Sequence, residues 1–136
     1  DSLEKLCPTE GHPFIMTDLI QNQEMLDIVT RFDMHVCLRP ELTQESHSKD
    51  LLLTRQVNSA RWLLCGGYSY SAPKGKETLW NKPEYLSETA TKLSTLFEKN
   101  DETFRTLCTG NLARLFFSKP WHADKEQKED IWSMYR

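Results

Sequence analysis

The stretch Arg61-Trp62-Leu63-Leu64-Cys65-Gly66-Gly67 is a short apolar run cut off by two glycines. An apolar run this short, bounded by a breaker, suits a buried strand better than a helix. Met34-His35-Val36-Cys37-Leu38 is a second run of the same kind. Arg39-Pro40 stops it, because proline removes a ladder donor and restricts the residue before it. Between the two runs, Ser46 or Ser48 can cap a helix to Asn58 that carries Leu51, Leu52 and Val57. Before them, Thr17 or Asp18 can cap a helix to Arg31 with the stripe Leu19, Leu26 and Val29, and Met25 and Phe32 beside it. Strands that alternate with helices predict crossovers and a parallel sheet. Two strands alone do not make one, because parallel sheets are covered on both faces. The segment therefore reads as part of an α/β sheet whose other strands lie elsewhere.

Downstream the pattern turns helical. Tyr68 to Lys82 contains Pro73, Gly75 and three lysines and reads as an irregular loop. Asn81 can cap a long helix with Pro83 in its first turn, where a missing N–H is harmless. Leu86, Ala90, Leu93 and Phe97 then fall on one face. Asn100 or Asp101 can cap a further helix through Phe104, Leu107 and Cys108, with Gly110 expected to break it and Asn111 to start a short one. Pro120 ends that turn. A polar helix from Asp124 would place Ile131, Trp132 and Tyr135 on one apolar side.

The chain of 136 residues with net charge −3 has the composition of one ordinary folded domain. Residues 1–60 carry ten acids against five bases, and residues 61–136 carry ten against twelve. Any polyanion contact is thus expected in the second half. No apolar run approaches the ~18 residues of a membrane span. The chain lacks an initiating Met and an Arg/Lys-flanked apolar start, which predicts a processed form or a piece of something longer. Cys7, Cys37, Cys65 and Cys108 have no zinc-ribbon spacing. Free core thiols in a reducing compartment, cytoplasmic or nuclear, are the expectation. Two disulfides in a secreted helical factor are the alternative.

Several segments taken in order carry a resemblance. Arg61 to Tyr70, then Trp80-Asn81-Lys82-Pro83-Glu84-Tyr85-Leu86, then Gly110-Asn111-Leu112-Ala113-Arg114-Leu115-Phe116 resemble the end of the TatD-like metal-dependent deoxyribonucleases, a branch of the amidohydrolase (β/α)8 barrels. In that family a strand ends in Glu-Thr-Asp and leads to a Pro-Tyr loop. An Asn-Glu-Pro box then opens a helix, and an Asn-x-x-x-Leu-Phe box closes the barrel. Val36-Cys37-Leu38 followed by Leu42-Thr43 is similar to an upstream strand and turn of the family.

The resemblance implies the C-terminal part of a TIM-type barrel over 13–117, a lead-in over 1–12 and a helical extension over 118–136. It also implies a protein partner, or the remainder of a longer chain, to complete the sheet.

The metal-binding residues of the family are replaced. Gly67 stands where the family has its strand-ending Asp, and Gly offers no ligand. The family's His falls near Met16, whose thioether suits hydrolytic cations poorly, with His12 four residues away as a weak candidate ligand. No His-x-His pair occurs. The expectation is a TatD-like pseudoenzyme, with no catalytic residues and no cofactor, that acts as a scaffold or interaction module. The alternative is a phosphodiester hydrolase that uses a divalent metal whose ligands lie mostly outside this chain.

Other residues weigh less. His35, within a strand, reads as a packed core or edge residue, His47 as solvent-facing, and His122 as packing beside Trp121. Gly66-Gly67 reads as a tight turn, since no phosphate-loop pattern follows. Lys74, Lys76, Trp80 and Lys82 combine basic charge with stacking surface, which suits single-stranded nucleic acid or a partner. A plain solvated loop, with one aromatic tucked onto the barrel, is the simpler reading and the expectation. Ile131, Trp132 and Tyr135 are candidates for a partner-binding helix.

Overall fold

A computed structural model describes residues 14–66, 72–76 and 81–117. The fold is mixed α/β, with one small sheet of three parallel strands. These are β1 (Ile15–Met16), β2 (His35–Leu38) and β3 (Trp62–Leu64), in the order β1-β2-β3. Four helices accompany them: α1 (Gln23–Arg31), α2 (Ser48–Thr54), α3 (Tyr85–Leu96) and α4 (Asp101–Phe117). The two expected strands are present within a residue of their expected ends. β1 was not expected. It pairs Ile15 with His35 and Met16 with Val36, and the His35 N–H donates to the Phe14 carbonyl at 2.9 Å.

Helix boundaries differ from the sequence expectation for local reasons. α1 is capped by Asn22, whose side chain accepts from the Met25 N–H at 2.9 Å, and not by Thr17 or Asp18. The extended stretch before it sends Leu19 and Ile20 into the core instead. α2 stops at Thr54, short of Asn58. Asn58 caps the following single turn by accepting from the Ala60 N–H. α3 begins at Tyr85, and Asn81 does not cap it, because its amide is turned to the Gly66 carbonyl. Leu86 is exposed, so the buried face of α3 is Ala90, Leu93 and Phe97 without it.

α4 runs unbroken through Gly110. A helical glycine costs about 1 kcal/mol relative to alanine. Phe104, Cys108, Asn111 and Leu115, at spacings that keep one helix face, are all buried and outweigh it. The Arg114 guanidinium passes over Gly110, where a Cβ would lie 3.3 Å from it.

The core lies between the sheet and these helices. Val36, Leu38 and Trp62 share one sheet face and pack with Leu93, Phe97 and Phe104. The Trp62 and Phe97 rings meet edge-on at 4.6 Å, and Phe104 completes the cluster at 6.3 Å from Trp62. The Trp62 indole N–H donates to the Val57 carbonyl at 3.2 Å, which satisfies the one polar atom of the ring. His35, Cys37 and Leu63 alternate onto the opposite face. Among the described residues no helix is long and apolar enough to cross a membrane.

Candidate functional site

Ligands in open α/β sheets gather at the carboxyl ends of the strands. Here those ends deliver Thr17 and Asp18 after β1, Arg39 after β2, and Cys65 and Gly66 after β3. Arg39 dominates the group. It is only 7% exposed, although it is a charged residue. Its Nη2 donates to Glu41 at 3.0 Å, and its Nη1 lies 3.7 Å from Asp18 and 3.5 Å from the Thr17 carbonyl. A buried guanidinium is tolerated only with such partners. Pro40 fixes the geometry, since it starts the tight turn that brings Glu41 back under Arg39.

A polar cleft of about 430 Å³ opens beside this group, lined by Asp18, Gln21, Met25, Arg39, Glu41 and His47. His47 is half-buried and not solvent-facing as expected, because its Nδ1 lies 2.8 Å from the Asp50 carboxylate one helical turn on. The imidazole is thereby oriented at the rim of the cleft.

This donor set does not suit a divalent cation. The Arg39 guanidinium sits among the nearby carboxylates and occupies Asp18 and Glu41. Among the described residues no three His, Cys, Asp or Glu side chains converge. What the arrangement can do is present the Arg39–Glu41 pair, largely buried, with the exposed Asp18 beside it, to a polar partner.

The lysine loop divides. The Lys74 ammonium pairs with Glu45 at 2.6 Å and holds that carboxyl below its usual range, while the Lys74 backbone N–H donates to Thr43 Oγ1 at 2.7 Å. Lys76 lies 5.6 Å over the Tyr85 ring. Lys82 is exposed, and its carbonyl accepts from the Tyr85 N–H at 3.0 Å. Lys74 also lines an apolar groove with Leu42, Leu51, Lys92 and Leu96. Lys74 is exposed and its ammonium is engaged by Glu45 at the surface. Trp80, Gly67, His12, Ile131, Trp132 and Tyr135 lie outside the described residues.

The outer edge of β3 is a further feature that the sequence did not point to. The Cys65 N–H donates to the Leu38 carbonyl at 3.1 Å, so odd-numbered residues of this strand bond to β2 and even-numbered ones point away. The Trp62 carbonyl then accepts from the Asn111 amide, and the Gly66 carbonyl from the Asn81 amide. Leu64 lies between these two caps and faces a groove lined by Leu86, Arg105, Cys108 and Leu112. Two asparagine side chains therefore bond two of the carbonyls that this edge presents and leave the Leu64 backbone between them.

Comparison with protein-family models finds no match for the chain, and comparison with curated proteins finds none.

Proposed function

We propose that the chain is a non-catalytic, TatD-like interaction module: the C-terminal part of a (β/α)8 barrel whose remaining strands come from a protein partner or from the rest of a longer chain. One observation carries this reading. The carboxyl ends of the strands, the side on which barrel sites lie, carry the buried guanidinium of Arg39, paired with Glu41 and near Asp18. The guanidinium competes with a cation for these carboxylates. The open groove at Leu64 supports a binding role, because it offers backbone and apolar surface together. Cys37, Cys65 and Cys108 form no disulfide, which supports a reducing, intracellular setting over a secreted one.

Elemental analysis of the purified chain, paired with a phosphodiesterase assay in manganese or zinc, tests the proposal. The expected result is no stoichiometric metal and no hydrolysis that a chelator abolishes. Activity lost to a chelator and restored by metal overturns it in favour of the hydrolase.

A further inference from the structure

Cys37 and Cys65 stand on neighbouring strands and face the same side of the sheet. Cys37 is opposite Leu63, so Cys65, two residues on, shares its face. The Cys65 thiol is the neighbour that does most to raise the pKa of the Cys37 thiol. Both are half-buried, whereas Cys108 is buried. Cys65 also makes the last ladder bond of β3, and Gly66 beyond it is exposed with open space around its α-carbon.

We propose that Cys37 and Cys65 form a reversible dithiol–disulfide pair, a modification site whose oxidant is a small-molecule disulfide of the glutathione class. Cys65 reacts first. It sits at the strand end, while the neighbouring Cys65 thiol and burial hold the Cys37 thiol well above the usual thiol range. The Cys65 thiol gives its proton to water, and its sulfur attacks one sulfur of the oxidant. The S–S bond of the oxidant breaks, and one small thiolate leaves and takes up a proton. A mixed disulfide remains on Cys65. The Cys37 thiol then loses its proton to water and attacks the Cys65 sulfur, which expels the second small thiolate; this too is protonated. The protein has lost two electrons and two protons, and the oxidant has gained both.

On parallel strands, residues offset by two positions have Cα atoms about 8 Å apart, from the strand spacing and the rise per residue. Unstrained disulfides close at no more than about 6.8 Å. Closure therefore draws Cys65 toward Cys37, loosens its bond to Leu38, and pulls on the Gly66 carbonyl that the Asn81 amide holds. Strained disulfides are the readily reduced ones, which makes the bond reversible.

The test is incubation of the purified chain with oxidised glutathione, alkylation of remaining thiols, digestion and mass spectrometry. The expected product is a peptide cross-linked between Cys37 and Cys65, which dithiothreitol reopens. Cys37→Ser, which keeps size and polarity, is expected to trap glutathione on Cys65. A map of the unsubstituted chain in which both cysteines are alkylated, or Cys65 carries glutathione with no cross-link, overturns the proposal. So does modification confined to Cys7 or Cys108.

Discussion

The side-chain amide of Asn111 donates to the Trp62 carbonyl at 2.9 Å, across 49 positions of sequence, and to the Ser59 carbonyl at 2.8 Å. One buried side chain thus fastens α4 to the outer edge of β3 and to the turn that precedes it. Arg114 in turn donates to the Asn111 amide oxygen, which fixes the orientation of the amide. Replacing Asn111 with alanine strands two carbonyls at a buried site. The expected cost is about 2–4 kcal/mol, because an unsatisfied buried acceptor costs about 1–3 and the half-buried Ser59 carbonyl, which water can reach, costs less. Urea denaturation monitored by tryptophan fluorescence measures it, since Trp62 reports on the same contact.

The aromatic cluster gives a second, separable expectation. Phe104 is fully buried between Trp62 and Phe97, whereas Phe116 on the same helix is 44% exposed. Phe104→Ala is expected to destabilise by about 3–5 kcal/mol, the range for emptying a core aromatic site. Phe116→Ala is expected to cost less than about 1 kcal/mol. Equal losses in the same denaturation assay would contradict the assignment of α4's buried face.

β2 and β3 were legible because each is a short apolar run ended by a residue type that breaks strands. β1 was not, because Ile15-Met16 is too short to show a period and is a strand only through its pairing with His35 and Val36. Gly110 misled for the opposite reason, since its local cost is real and the burial that overrides it is tertiary. The candidate site divides in the same way. His47 and Asp50 lie three residues apart on one turn, a spacing that sequence can show. Arg39 meets Asp18 only because β1 and β2 are adjacent, a register that nothing in the local sequence encodes. The asparagine caps on β3 were likewise hidden, although Asn111 had stood out as the first residue of the closing box.

Asp33 combines a constraint with an interaction. Its φ of 48° is left-handed, which asparagine and aspartate tolerate better than most residues. Its carboxylate receives Nε of Arg61 at 2.9 Å and Nη2 at 2.6 Å, and this pairing lowers its pKa below the usual value. Asp33→Asn keeps the turn and removes the charge. Both partners are partly exposed, so solvent screening limits the expected loss to less than about 1 kcal/mol. The difference from the unsubstituted chain is expected to shrink as salt is raised, which thermal melts at two ionic strengths would detect.

The nucleic-acid reading of the lysine loop is open to a direct titration. The Lys74 ammonium must leave Glu45 before it can reach a phosphate. Under that reading, Lys74→Glu with Lys76→Glu abolishes binding to a single-stranded oligonucleotide, and Glu45→Gln strengthens it. Each lysine contact contributes about 0.7 to the slope of log affinity against log salt for a single strand. Fluorescence anisotropy across a salt series reads both effects, and unchanged binding in the double variant removes the loop from consideration.

His35 sets an expected pH dependence of stability. It is 8% exposed, and its Nδ1 has no hydrogen-bond partner among the described residues. Burial and the nearby Arg61 charge hold its pKa below the ordinary 6.5, against a smaller opposite pull from Asp33. The folded chain therefore keeps His35 neutral where the unfolded chain has begun to bind a proton. Below pH 6.5 the unfolded state carries more protons at this position, so stability falls as pH drops toward the folded pKa and levels off beneath it. Above pH 6.5 the residue contributes no slope. Guanidinium unfolding at a series of pH values from 8 to 5, an interval set by the histidine range, should show this decline. His35→Gln, which does not titrate, should flatten it. The Asp33–Arg61 pair cannot produce the same slope, because the pKa of Asp33 lies below its ordinary 3.8 and its effect is confined to more acidic solution. A decline of equal steepness in the His35→Gln chain would mean that the titrating group lies elsewhere.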